Sequence, residues 1–291
     1  GVVTVAALDA KAIAGSISQG MQGQLQVTSG PTDLEAMSGI SLDSAGNSFT
    51  QFIKVKSGDG GLILEAQGDL LLGDLDVSGD LRVTATEGAL STLEASRIYH
   101  QKGDVSLVGA ISVQLTNLTS RGGDITIISG GSIIGHARSD NTGNLLRSDG
   151  IISLQAMEGI GAEGLARLRL DVAAVTATNQ GAGDLILFGV NGLNVGQAGI
   201  RSEVEEDWII LVTEQGTIEN QDLVTASNNR VLFVEDAGEQ TEGFNRSLLD
   251  NTLVASVAAA TSQSSFENAE DDESSLIAAG MVSLPWTRDP I

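Results

Sequence analysis

The stretch GGDITIISGGSIIG, from Gly122 to Gly135, decides the fold. A glycine and an aspartate lead into Ile125-Thr126-Ile127, two apolar side chains around a polar one, and a second glycine pair introduces another short apolar run. Alternation at period 2 over so few residues marks a short strand with one buried face. The glycines supply the bends on either side, and the aspartate is expected to hydrogen-bond its own turn backbone before the strand starts. Working outward, the same phrase returns as Gly60-Gly61-Leu62-Ile63-Leu64, Gly68-Asp69-Leu70-Leu71-Leu72, Gly79-Asp80-Leu81-Arg82-Val83, Gly103-Asp104-Val105-Ser106-Leu107 and Gly183-Asp184-Leu185-Ile186-Leu187. Looser copies stand at Gly39-Ile40-Ser41-Leu42 and Gly150-Ile151-Ile152-Ser153-Leu154, and the copies at Gly60, Gly79, Gly103, Gly123, Gly150 and Gly183 follow one another at steps of 19, 24, 20, 27 and 33, a loose period of roughly 20 to 30 residues.

That spacing separates the repeat architectures. Helical repeats need about 10 or more residues of 3.6-period pattern per helix, and here a glycine, Asn or Asp interrupts after three to five. Propeller blades spend aromatic residues on their packing, which a chain with 3% aromatics lacks. The expectation is an all-β, single-chain parallel β-helix, or β-solenoid, over residues 1–235, with on the order of ten turns and a length of roughly 50 Å. Leu81, Val83, Val105, Leu107, Ile125, Ile127, Leu185 and Leu187 should line its interior, with Arg82, Ser106 and Thr126 facing solvent. Beyond the polar break after Val234, residues 236–291 read as a cap, linker and tail: Leu248, Leu249, Leu253 and Val257 suit one face of a short helix, followed by the acidic Ser262–Ser275 and by Pro285-Trp286.

Composition excludes several function classes. With 15 Lys and Arg against 38 Asp and Glu, the formal charge of −23 has the wrong sign for clamping nucleic acid or an anionic membrane. The absence of cysteine removes disulfides, zinc ribbons and thiol nucleophiles. No apolar run approaches the ~20 residues of a membrane-spanning helix. Neither a cofactor nor a resident metal is expected, and the strand-like opening Gly1-Val2-Val3-Thr4-Val5 reads as the start of a piece of a longer chain.

Three stretches, Gly122–Gly135, DGIISLQAMEGIGAEG (Asp149–Gly164) and AGDLILFGVNGLNVG (Ala182–Gly196), resemble the filamentous-haemagglutinin-like β-helical repeats of large bacterial exoproteins and adhesins. The resemblance covers about residues 20–235. It implies a right-handed coil and an extracellular or cell-surface protein of a Gram-negative bacterium, with a host-cell, matrix or glycan surface, or neighbouring domains of the same chain, as partners. No fixed set of functional residues comes with it.

Catalytic constellations are broken or missing. Polysaccharide hydrolases of this fold carry Asn-x-Asp, Asp-Asp, Gly-His-Gly and Arg-x-Lys in that order; here Gly135-His136 precedes Asn220-Gln221-Asp222 and Asp271-Asp272, and no Arg-x-Lys exists. His100, beside Tyr99, reads as part of an exposed corner. Asp140-Asn141-Thr142-Gly143-Asn144 has the oxygen donors of a calcium loop without the downstream Glu, which favours an Asx-rich turn. The acidic run Glu203-Val204-Glu205-Glu206-Asp207 reads as a solvated edge, and Trp208 as half-buried packing at a corner. His136, Asp140, Asn141, Glu203, Glu205, Asp207 and Trp208 are therefore candidates for ligand contact only, in or directly beside the loops 137–147 and 197–207. The functional expectation is a non-enzymatic stalk or adhesive rod. A polysaccharide lyase or hydrolase, and a filament or surface-layer subunit assembled by end-to-end self-association, are the alternatives.

Overall fold

A computed structural model describes residues 1–20, 22–137, 144–227, 230–235 and 237. Contacts divide the chain into two units, Gly1–Phe244 and Asn245–Ile291. The first unit is a β-solenoid. The expected cap and tail over 236–291 fall outside the described residues except for Ala237.

Each turn carries up to three short strands, and each strand pairs in parallel with its counterpart one turn on. On one side the stack runs through Leu8–Ala12, Thr32–Ala36, Ile53–Ser57, the end of Leu70–Val77, Arg97–His100, Asn117–Ser120 and the starts of Asn144–Ala156 and Leu168–Asn179. On the second side the register follows Ile17, Ile40, Leu62, Leu81, Val105, Ile125, Ile152 and Val175, and the coil closes with Ile200 over Ala177 and Val224 over Ile200. That makes about ten turns. The third side opens with a separate three-stranded sheet, Val2–Val5, Gln24–Val27 and Ser48–Phe49. A longer stack then runs from Leu70–Leu72 through Leu90–Thr92, Val113–Leu115 and Ile133–Gly135. Bridges through Ile160 carry it on to Leu185–Gly189, Ile209–Thr213 and Val231–Val234.

The alternating positions point as the pattern requires. Leu81, Val83, Val105, Leu107, Ile125, Ile127, Leu185 and Leu187 are all buried in one continuous core, whereas Arg82 is exposed and Ser106 and Thr126 lie at the surface. Because strands of successive turns are in register, like stacks on like, and each buried aliphatic side chain contributes about 1.5–3 kcal/mol. One turn alone could not offset its ordering entropy; ten stacked turns can.

The aspartate of the repeat works differently from the sequence expectation. Its carboxylate reaches across to the next turn: Asp80 Oδ1 accepts the Asp104 N–H at 3.1 Å, Asp104 Oδ1 the Asp124 N–H at 3.0 Å and Asp124 Oδ1 the Ile151 N–H at 2.9 Å. Asp69 does the same for Ala89, and Asp184 for Trp208, both at 2.8 Å. At the bend the backbone is left with N–H groups that the sheets do not pair, and the carboxylate of the turn below satisfies them. The adjoining glycine is required for two reasons at Gly123, whose φ is 76° and whose hypothetical Cβ would stand 1.7 Å from the Gly103 carbonyl oxygen.

Candidate functional site

The candidates drawn from the sequence do not converge. Asp140 and Asn141 lie outside the described residues. His136 is half-buried directly after Ile133–Gly135, with its N–H donating to the Leu115 carbonyl at 2.9 Å and its own carbonyl accepting from Asn144 Nδ2 at 2.8 Å. Glu203 and Glu205 are exposed. Asp207 is buried, and its Oδ2 accepts the Gly183 N–H at 3.0 Å, an inter-turn clamp that reaches back to the preceding turn, opposite in direction to those above. Trp208 is half-buried against Ile186, Phe188, Ile210 and Val212, with the Arg230 guanidinium 5.9 Å from its ring. The expected loop from 197 is shorter than the sequence suggested, because residues through Ser202 continue the strand Leu193–Ser202 and pair with Val224–Ala226.

One further reading changes. His100 is fully buried and not at an exposed corner: Ile98 points inward, Tyr99 outward and His100 inward again. Its Nδ1 lies 2.8 Å from Ser120 Oγ and its Nε2 3.0 Å from the Gly79 carbonyl oxygen. Burial is the main influence on this imidazole and lowers its pKa from the usual 6.5, against the opposing effects of the Gly79 carbonyl and of Asp80 and Asp104. Asn220, part of the Asn-x-Asp triplet, adopts the left-handed region at φ 59° and donates from Nδ2 to Asn194 Oδ1 at 2.8 Å and to the Val195 carbonyl at 3.0 Å. Its amide is thus committed to the turn below.

The surface feature that the sequence did not disclose lies on the outer face of the first sheet. Register places Lys11, Glu35, Lys56, Asp76, Tyr99, Thr119, Arg147 and Asp171 in one column, one residue per turn. Charges alternate in sign along both ends of it, as stacking at about 4.8 Å demands, since like charges directly opposite one another repel. Lys11 pairs with Glu35, which draws the Glu35 carboxyl below its usual pKa chiefly through that hydrogen bond, and Arg147 pairs with Asp171 at 2.7 Å.

Between those two pairs the face opens into a groove of about 660 Å³. Its cations are Lys54, Lys56 and Arg97, its carboxylates Asp33, Asp74 and Asp76, and Tyr99, the only tyrosine of the chain, stands among them. A β-bulge makes the depression. The register of Leu70–Val77 slips between Leu72 and Leu75, at Gly73-Asp74, where a Cβ on Gly73 would sit 2.9 Å from Lys54 Cγ. Asp74 Oδ1 accepts the Arg97 N–H at 3.1 Å, Lys54 Nζ lies 5.4 Å from the Phe52 ring centre, and the Arg121 guanidinium lies 5.4 Å from that of Tyr99. Among the described residues, no group of three or more His, Asp or Glu side chains is placed to hold a metal ion.

Comparison with known proteins reaches only the amino-terminal turns. Residues 1–56 match a family model described as repeats of unknown function (DUF5649). No curated protein and no solved structure matches the chain. The match supports a repeat protein and carries no link to filamentous haemagglutinin in particular. No helix among the described residues is long and apolar enough to cross a membrane.

Proposed function

We propose that the chain is a non-enzymatic, rigid spacer or adhesive rod within a large bacterial exoprotein, displayed at the cell surface or secreted. The observation that carries this reading is the parallel stacking of about ten turns, continuous through local bulges and clamped from turn to turn by Asp80, Asp104 and Asp124. Such a column converts sequence length into reach at about 4.8 Å per turn, and stretching it requires breaking many backbone hydrogen bonds together. A charge of −23 keeps neighbouring copies apart. The resemblance of Gly122–Gly135, Asp149–Gly164 and Ala182–Gly196 to haemagglutinin-type repeats supports the surface setting. Adhesion falls to groups held outside the core, which vary without disturbing it. The test is an antibody against this chain applied to fractionated cells and medium. A surface or secreted band, larger than the 29.9 kDa of this chain, is the expected result. A soluble cytoplasmic band of that size would overturn the proposal.

A further inference from the structure

We infer that the groove at Tyr99 is a binding site for a linear, uncharged glycan. Its chemistry differs from that of the charge column on either side. In the column, cations are spent on ion pairs, as Lys11 with Glu35 and Arg147 with Asp171. In the groove, Lys54, Lys56 and Arg97 form no ion pair within 4.0 Å among the described residues, although three carboxylates line the same depression. Asp74 Oδ1 accepts the Arg97 N–H at 3.1 Å and Asp76 Oδ1 accepts from Gln101 Nε2 at 3.5 Å, so the site presents three cations outside ion pairs beside carboxylates that keep further acceptor positions. Sugar hydroxyls, each both donor and acceptor, can satisfy such a mixed set, and the Tyr99 ring, with Arg121 over one face, has its other face for the C–H side of a pyranose.

Charge balance selects the uncharged class. The lining carries three cations against three carboxylates, with Arg121 stacked on Tyr99 beside them, which leaves little net attraction for a sulfated or carboxylated polymer, and the −23 charge of the chain repels one. Geometry favours a linear ligand, because the lining residues come from four successive turns, Asp33, Lys54 and Lys56, Asp74 and Asp76, then Arg97 and Tyr99, spanning about 15 Å. The inference rests on the adhesive side of the proposed function and names its ligand class; a rod without a ligand would still be a spacer.

The experiment is isothermal titration of the whole chain with cellohexaose, chitohexaose and maltohexaose, with a heparin hexasaccharide as the anionic comparator. Binding of at least one neutral hexasaccharide is expected, with affinity reduced tenfold or more in Tyr99→Ala and in Lys56→Ala and retained within about threefold in Tyr99→Phe. Lys56 is exposed, so its variant reports on the groove with the core intact, and circular dichroism of each variant confirms the fold. No binding of any neutral hexasaccharide at millimolar concentration, binding unchanged in both alanine variants, or binding of heparin alone would each overturn the inference. None of those outcomes would touch the cell-surface result that tests the spacer.

Discussion

The middle turns and the last turns of the coil use the same backbone and different outer faces. In Val105–Gly109 and Ile125–Ser129 buried positions alternate with half-exposed ones, whereas Leu185–Gly189 and Ile209–Thr213 are buried at every position. Sequence follows: VSLVG and ITIIS alternate, and LILFG and IILVT run apolar. On the outside of the last turns Ile186, Phe188, Ile210 and Val212 form a second cluster, separate from the core, with Trp208, Leu232, Val234 and Ala237 packed against it. The Arg167 guanidinium lies 5.9 Å from the Phe188 ring centre, and Arg169 Nε pairs with Glu214 Oε1 at 2.5 Å beside it. A strand that loses its alternation is therefore a strand covered on both sides, even in a solenoid whose repeat phrase stays the same.

Truncating outward side chains in the two regions gives the sharpest contrast. Phe188→Ala should cost about 3–5 kcal/mol in chemical denaturation, close to the cost of Leu107→Ala in the core. A loss below about 0.5 kcal/mol would mean that the outer face of the last turns is effectively solvent. Next in size is the corner clamp of the middle turns. Asp104→Ala leaves the Asp124 N–H without its carboxylate and should cost about 1 kcal/mol, and Asp104→Asn, which keeps an acceptor oxygen, should recover most of it. Equal losses for Ala and Asn would point to charge and not to hydrogen bonding.

A pH-dependent difference follows from His100. Burial holds its folded-state pKa below the unfolded value near 6.5, so below that value the unfolded chain binds the proton more readily. Stability from this residue is present above pH 6.5 and declines as pH falls through that value toward the folded pKa. Urea melts between about pH 7.5 and 5.5 should show the decline in the native chain and a flatter profile in His100→Asn. An unchanged profile would show that the imidazole does not contribute. The smallest effect belongs to the outer face of the middle turns, where Thr126→Ala should stay within about 0.5 kcal/mol of the native chain.

How much of this could be read from the residues alone depends on how far apart in sequence the partners lie. The inward set of the Gly-Asp phrase was legible because alternation is local, and the same parity places His100 inside once Ile98 is recognised as a core position. The role of the aspartates was only half legible: the side chain is visible beside its glycine, but the N–H it serves is 20 or more residues away, as in Asp104 to Asp124. Buried Asn47 is a similar case, donating to the Leu42 and Glu65 carbonyls and accepting the Leu25 N–H at 2.9 Å, a fully satisfied amide that ties neighbouring turns. The groove was not legible at all. Lys56, Asp76 and Tyr99 share no local pattern, and only the register, with its bulge at Gly73-Asp74, sets them side by side.

The central claim is that the chain winds into a single column of parallel strands, one turn for every roughly 20 to 30 residues. Ser41, Ile63, Arg82, Ser106, Thr126, Ser153 and Thr176 stack on the outer face of the second sheet, and the chain has no native cysteine to interfere with labelling. Spin labels on Ser41→Cys paired with Thr126→Cys, and on Ser41→Cys paired with Thr176→Cys, probe separations of four and six turns by pulsed electron resonance. Narrow distributions near about 19 Å and about 29 Å, a difference of two turns, are the predicted result. Equal distances for the two pairs, or broad distributions that do not grow with the number of turns, would contradict the solenoid.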